Sequence, residues 1–250
     1  MRTVIMAGWL MTAPLAAGSL DSARAAIVRC EAHAPISGQL SEMFRRGGND
    51  QERSAQTLAG AQLSIQIHAD PASLDLSWDA GLLRRADEEE RSRDKDVKGG
   101  MPLRDAMKEL DPGRVAHLLD QRASLLGMLG QGTLLKEEDA AYEGRPARKL
   151  ELSLPVRVSD DRMRARVSRS EGHLILWTGT DGAPIASELH LFYEGRMGRI
   201  FGRFSDERTI RTRYGLKDDR IFVAHRDAAE SASDDAGRQT TFVTLDFQPR

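Results

Sequence analysis

The chain has 250 residues, with 36 basic and 38 acidic side chains and a formal net charge of −2 at pH 7. This near balance argues against a nucleic-acid-binding protein, because such proteins usually carry a strong basic excess. The only cysteine, Cys30, excludes an intramolecular disulfide.

Residues 1–25 have the pattern of a cleaved signal peptide. Arg2 carries the one positive charge before an uncharged, largely apolar run from Thr3 to Leu20, and Ala23-Arg24-Ala25 matches a small-x-small cleavage site. The alternatives are a membrane anchor and a buried N-terminal helix; two glycines, a proline and the short length of the run argue against an anchor. We expect a mature, periplasmic protein that begins near Ala26, since an exported chain without disulfides fits that compartment.

Three strands are predicted in the first third of the mature chain. Their apolar residues alternate with polar ones, most regularly in the second strand, as in a sheet with one buried face. No later segment reaches the ~18 uncharged apolar residues of a transmembrane helix, so we do not expect an integral membrane protein. The strands are Ile36–Arg46, Ala61–Ala69 and Leu74–Trp78.

A helical insertion is predicted over residues 84–126. In its first part, residues 84–98, twelve of fifteen side chains are charged with mixed sign. A helix that is polar all round has no face to bury, so this part is interpreted as a solvated helix or excursion. Asp111-Pro112 then forms a helix start, with Asp as N-cap and Pro at the first helical position. The amphipathic helix that follows, Val115 to Leu126, is expected to pack its apolar stripe on one face of the sheet.

The second half predicts a β-meander. Short apolar or alternating runs are separated by turn signals, and strands joined by such short turns must pair antiparallel. About eleven or twelve strands are expected in the whole chain, with residues 227–237 as a polar loop. The predicted fold class is α+β, mainly β, with one large curved antiparallel sheet (a half-barrel) in a single domain, residues 26–250. The later strands are predicted at 132–139, 142–154, 163–169, 174–177, 185–193, 197–204, 209–214, 221–225 and 240–247.

The sequence offers no sign of catalysis, a cofactor or a metal site. No nucleophile elbow, zinc-protease, P-loop or dinucleotide-binding motif is present, and the six histidines are scattered singly. Adjacent acids such as Asp218-Asp219 are interpreted as turn formers. Arginines spaced two apart, at 162–166 and 211–213, predict a basic row on each strand. Such rows are interpreted as a solvated face whose arginines pair with nearby acids, rather than as a phosphate-binding patch.

Apolar side chains of the central strands are the candidate ligand-binding residues. A sheet this wide twists and curls, so its concave face is either filled by the helix or left as an apolar groove for an acyl chain. The candidates are Leu174, Leu176, Trp177, Leu189, Leu191 and Tyr193.

The same region resembles the LolA-like periplasmic proteins. In that superfamily an L-x-x-W run ends a strand and an Asp-Gly-x-Pro turn follows; Leu174, Trp177, Asp181, Gly182 and Pro184 match this pattern. The resemblance implies a curved antiparallel half-barrel with helices against its concave side. It also implies a carrier of lipoprotein acyl chains or a protein that binds envelope partners.

The sequence therefore favours a non-enzymatic periplasmic binding or carrier protein for an apolar ligand, such as a lipid or lipoprotein acyl chain. The alternative is a cell-envelope protein-interaction module with a filled core and no ligand. Nucleic acid is not expected as a partner.

Overall fold

The computed structural model describes residues 19–32, 34–48, 59–92, 102–158, 161–196, 202–234 and 237–250. Within these ranges the helices are α1 (Ser19–Val28), α2 (Ala80–Arg91), α3 (Pro102–Glu109), α4 (Pro112–Leu119), α5 (Arg122–Gln131) and α6 (Asp161–Arg164). The strands are β1 (Ile36–Gly48), β2 (Ala59–Ala69), β3 (Leu74–Trp78), β4 (Thr133–Tyr142), β5 (Arg145–Ser153), β6 (Val167–Thr178), β7 (Pro184–Arg196), β8 (Arg203–Lys217), β9 (Arg220–Asp234) and β10 (Gly237–Pro249).

The ten strands of the described chain form one open antiparallel sheet in the order β3-β2-β1-β10-β9-β8-β7-β6-β5-β4. Strands β4 to β10 are the meander, each paired with its neighbour in sequence. Strand β1 pairs with β10 from Gly38–Pro249 to Gly48–Gln239, so the first three strands extend the same sheet. The mainly β class with a large antiparallel sheet is thus confirmed.

Several predicted strand boundaries are wrong. The strand expected at 163–169 begins only at Val167, because Asp161–Arg164 is helical, and β6 then continues unbroken to Thr178. The separate strands expected at 197–204 and 209–214 meet in one strand, because β8 runs unbroken from Arg203 to Lys217. Of the polar loop expected at 227–237, residues 227–234 instead continue β9, which pairs with β8 on one side and β10 on the other. Pairing on both sides of the strand outweighs the low strand propensity of its Asp, Ser and Ala residues.

Buried side chains of the sheet and the helices form two hydrophobic clusters. The first core joins β1, β2 and β10 to α2, α3 and α4 and includes Leu40, Phe44, Ile65, Leu103, Val115 and Leu118. The second core joins β5 and β6 to α1 and α5 and includes Ile27, Leu125, Leu129, Leu150, Leu174 and Leu176. The side of the sheet that carries both cores is called the helix-bearing face, and the opposite side the outer face.

The amphipathic helix predicted from Val115 to Leu126 is two helices. The Asp111 cap is confirmed, since its Oδ1 accepts the backbone N–H groups of Gly113 (2.8 Å) and Arg114 (3.1 Å). Helix α4 ends at Leu119 because Asp120 is extended and the Gln121 N–H donates to the carbonyl of Ile221 (2.9 Å) instead of to a helical carbonyl. Helix α4 therefore belongs to the first core and α5 to the second.

The charged segment from residue 84 supplies part of helix α2. Leu82 and Ala86 are buried in the first core, so the expectation that this helix has no face to bury is wrong for its first turns. Glu89 has a structural role as well, because its carboxylate accepts the backbone N–H groups of Leu103 (3.2 Å) and Arg104 (3.1 Å). Those N–H groups begin α3 and lack helical partners, so Glu89 caps α3 from a neighbouring helix. Residues 93–101 lie outside the described ranges.

Helix α1 contains the predicted cleavage position after Ala25. Its Ala23 and Ile27 are 0% exposed in the second core, and the Arg24 guanidinium donates to the carbonyl of Leu129 (2.7 Å). Gly182 of the Asp-Gly-x-Pro turn lies against this helix, since a Cβ there would be 2.6 Å from the carbonyl oxygen of Ser22. The signal peptide stays a prediction; most of it, residues 1–18, lies outside the described ranges.

Candidate functional site: a groove on the helix-bearing face

The break between α4 and α5 leaves the middle of the helix-bearing face uncovered. A first cavity of about 640 Å³ lies between α3, α4 and strands β1, β8, β9 and β10. A second cavity of about 600 Å³ lies between α5, residues 154–158 and strands β7 to β9. Arg208 and Glu230 contribute to the walls of both cavities, so the two cavities adjoin at this ion pair and are together called the groove.

Part of the floor of the groove is an apolar row. Side chains on one face of adjacent strands lie side by side, as Leu189 on β7, Ile210 on β8 and Ala228 on β9 do here. These residues are only partly buried, in contrast to the leucines of the two cores. The apolar wall and floor residues of the groove include Phe44, Leu118, Leu189, Leu191, Tyr193, Ile210, Ala228, Val243 and Leu245.

The structure separates the sequence-predicted site residues into three places. Leu189, Leu191 and Tyr193 line the second cavity together. Leu174 and Leu176 are 0% exposed within the second core, where α5 covers them. Trp177 alternates with Leu176 along β6 and so faces the outer side, where its ring lies 5.4 Å from that of Tyr142.

Glu42 is a buried carboxyl in the wall of the first cavity that the sequence analysis missed. It is 1% exposed, and neither of its carboxylate oxygens has a hydrogen-bond partner among the described residues. Leu63 and Leu245 flank it on the neighbouring strands. Burial raises the pKa of the Glu42 carboxyl to about 8, although Arg114 opposes the shift. At neutral pH the side chain is therefore mainly the protonated acid, which can donate a hydrogen bond.

Arg226 lies in the wall of the same cavity on β9. Its Nε donates to Oγ1 of Thr212 (3.3 Å) and its Nη2 to Oε1 of Gln121 (3.5 Å), a side chain fixed at the break between α4 and α5. Burial lowers the pKa of Arg226 from its usual value. Beside this group, the Tyr214 hydroxyl shares a 2.7 Å hydrogen bond with Ser187, and burial raises the pKa of Tyr214.

The other cations of the first cavity already have carboxylate partners. Arg208 pairs with Glu230 at 2.5 Å, and Arg46 and Lys108 both pair with Asp105, at 3.7 and 3.8 Å. Arg114 contacts Glu109 and also pairs with Asp111, at 3.3 Å. These ion pairs are together called the rim; one of them, Arg208–Glu230, stands on the floor strands in phase with Ile210 and Ala228.

The outer face is a paired polar surface, in agreement with the interpretation of its arginines. Arg211 pairs with Glu188 at 3.3 Å, and Arg213 with Glu143 at 3.6 Å. The arginine row expected at 162–166 does not form on a strand, because helix α6 occupies the start of that segment. In the part of the chain that the structure describes, no group of three or more His, Cys, Asp or Glu side chains is placed to hold a metal ion.

On the outer face, the His225 ring lies between two carboxylates. Its Nδ1 lies 2.7 Å from Asp246 and its Nε2 2.9 Å from Asp227. Partial burial works against its charged form, but hydrogen bonds to Asp246 and Asp227 outweigh it and raise the pKa of His225. Since Thr244 also donates to Asp227 (2.7 Å), this cluster is satisfied internally and lies away from the groove.

Of Glu42 and Arg226, which the sequence analysis did not single out, only Glu42 could have been found from the sequence pattern. In β1, Glu42 stands in phase with Leu40 and Phe44, so the alternation itself places a carboxyl on the buried face. Arg226 carries no such signal, because a register shift between β8 and β9 at Arg213/Tyr214 decides which face it takes.

No protein-family model matches the chain, and no curated protein sequence matches it. Among solved structures, the chain is matched with the complex of Pseudomonas aeruginosa MucA and MucB, at 11% sequence identity and a TM-score of 0.18. The match covers 92% of this chain and 93% of that chain. A TM-score this low carries no conclusion about fold or function. None of the helices in the described ranges is long and apolar enough to cross a membrane.

Proposed function

We propose that the protein is a non-enzymatic binding or carrier protein that holds the apolar chain of an amphiphile, such as a lipid or a lipoprotein acyl chain, in the groove. The observation that carries the proposal is the uncovered middle of the helix-bearing face, where two cavities of about 640 and 600 Å³ meet at Arg208 and Glu230. Each volume lies in the usual range of small-molecule sites, roughly 300–1,000 Å³.

The composition of the groove supports an amphiphile rather than a polar solute. Half-buried Leu191, Ile210 and Val243 leave apolar surface in contact with water, and an alkyl chain over them removes roughly 0.8 kcal/mol of unfavourable hydration per CH₂ group. The ion pairs at the rim remain in water and can contact a polar head group. Helices α4 and α5 limit the groove on either side, so a bound chain would lie between the two cores.

The predicted export signal in residues 1–25 supports a periplasmic location for this binding. The resemblance of the Asp181-Gly182-Ala183-Pro184 turn region to the LolA-like proteins is consistent with an acyl-chain ligand. Both arguments come from the sequence and do not depend on the shape or composition of the groove.

A protein-interaction module is the second candidate function, and edge strand β4 favours it. Strand β4 ends the sheet, so one side of its backbone has no strand partner among the described residues, and Leu134 and Leu135 are exposed there. An exposed apolar edge is a template for an added strand from a partner chain.

Native mass spectrometry of protein purified from cells tests the first proposal. We expect lipid-sized adducts on the wild-type chain and their loss in Ala228→Trp, because the new indole would fill the groove floor. Ala229→Trp is the matched control, since Ala229 is the next residue on β9 and faces the outer side.

Two results would refute the carrier proposal: no adduct on the wild-type chain, or equal adducts on both tryptophan variants. If the interaction module is correct instead, Leu135→Lys removes a stoichiometric partner chain from the purified protein, and Ala228→Trp does not.

A further inference from the structure

Two ionisable side chains that line the first cavity form no salt bridge with any described residue. Glu42 has no hydrogen bond at either oxygen, and Arg226 donates only to the neutral Thr212 and Gln121. The other acids and the lysine and arginines that line this cavity are paired with one another. A buried ionisable group without a partner costs stability, so an unpaired couple on one cavity wall points to a ligand.

Glu42 and Arg226 cannot satisfy each other. They face the same side of the sheet two strands apart, with Leu245 of β10 directly between them in the register. Neighbouring strands are about 4.8 Å apart, so the two backbones are separated by roughly 10 Å. A small polar group placed above Leu245 would lie between the two side chains.

We propose that Glu42 and Arg226 form the head-group subsite of the groove and select an amphiphile whose head carries a single negative charge, such as a long-chain carboxylate. Arg226 supplies a positive charge that has no carboxylate partner among the described residues, and the protonated Glu42 donates a hydrogen bond to the second oxygen of the head. The alkyl chain then extends over Ile210 and Ala228 towards the second cavity. This inference rests on the proposed function and specifies its ligand.

The subsite makes binding dependent on pH, because an ionised Glu42 repels the anionic head and loses its donor. The other charged or titratable groups that face Glu42 across the cavity come from β1, α3, α4, β8 and β9: Arg46, Asp105, Lys108, Glu109, Arg114, His117, Arg208, Arg226 and Glu230. All of them except His117 and Arg226 belong to the ion pairs of the rim, so Glu42 is the group whose charge changes next to the head.

Isothermal titration of the delipidated protein with laurate and with 1-dodecanol tests the subsite. The two probes have the same chain length and differ in head charge. We expect laurate to bind roughly tenfold or more tightly than 1-dodecanol at pH 7, because a hydrogen-bonded charge contributes about that much. Laurate affinity should fall about tenfold from pH 7 to pH 9, while dodecanol affinity stays constant.

Variants separate the two side chains. Glu42→Gln keeps a donor, so it should bind laurate at pH 7 and lose the fall in affinity at pH 9. Arg226→Met should bind the two probes equally. His190→Gln is the control and should keep the wild-type pH dependence, since His190 lies on the outer face beside Glu207.

The outcomes distinguish this inference from the proposed function. Equal affinity of the wild-type protein for laurate and dodecanol would overturn the head-group subsite and leave the groove as an acyl-chain site. Binding of neither probe would refute both. If Arg226→Met does not fold, the comparison of the two probes and the pH profile of Glu42→Gln still decide the matter. Monododecyl phosphate as a third probe distinguishes a preference for carboxylate from one for any anionic head.

Discussion

The ends and the middle of the helix-bearing face differ in what covers them. At one end helices α2, α3 and α4 bury β1 and β2, and at the other end α1 and α5 bury β5 and β6. Between them Leu189, Leu191, Ile210 and Ala228 are half exposed and stand beside charged groups. We attribute the groove to the two-residue interruption at Asp120 and Gln121, between the end of α4 and the start of α5.

Truncations in the filled and open regions should have very different costs. Leu176→Ala, at a 0% exposed position in the second core, is expected to lower the free energy of unfolding by about 3–5 kcal/mol, because it leaves a cavity among packed leucines. Leu191→Ala, in the groove, should cost about 1 kcal/mol or less, since its side chain is half exposed. Urea unfolding of the two variants checks this; equal costs would mean that the middle is as tightly packed as the ends.

The pH dependence of stability should reveal the buried Glu42. Its pKa is about 8 in the folded protein and about 4.5 when unfolded, so its stabilising contribution is complete below pH 4.5 and is lost as the pH rises to 8. Relative to Glu42→Gln, the wild-type protein should therefore lose about 3 kcal/mol between pH 4.5 and pH 7. Parallel pH profiles of unfolding for the two proteins would show that Glu42 is solvated or paired.

The packing of helix α1 leads us to expect that the stability of the protein depends on the residue at which the chain begins. A chain that starts at Ala26 lacks the buried Ala23 and the Arg24–Leu129 hydrogen bond, and should be about 2 kcal/mol less stable than one that starts at Ser19. Thermal unfolding of the two chains gives the comparison. If they unfold alike, residues 19–25 of α1 contribute nothing to stability, and the predicted cleavage after Ala25 is compatible with the fold.

The smallest expected effect concerns the cap of α3. Glu89→Ala removes the acceptor for the Leu103 and Arg104 N–H groups and should cost about 1 kcal/mol. Glu88→Ala is the matched control, because Glu88 is an exposed neighbour on the same helix. A cost shared by both variants would indicate an effect of charge or helix propensity instead of the cap.

Local chemistry made some of the molecule predictable from the sequence. The antiparallel meander followed from short turns, and the cap at Asp111 followed from Asp-Pro before an apolar stripe. The placement of Trp177 was also readable in principle, because Leu176 and Trp177 are adjacent on one strand and cannot face the same side.

Features that depend on long-range pairing were not predictable. The interruption between α4 and α5 depends on a hydrogen bond from Gln121 to Ile221, a residue one hundred positions later. The face of Arg226 depends on the shift in register between β8 and β9. The sequence therefore identified the sheet and three of the nine apolar groove residues named above, but not the buried Glu42 and Arg226.

Methyl NMR of the delipidated protein with added laurate tests the central claim most directly. If the middle of the helix-bearing face is the ligand site, the methyl signals of Leu189, Leu191, Ile210 and Val243 shift on binding, and those of Leu150, Leu174 and Leu176 in the second core do not. Shifts confined to the second core or to Ile175 on the outer face, or no shifts at saturating laurate, would contradict the account.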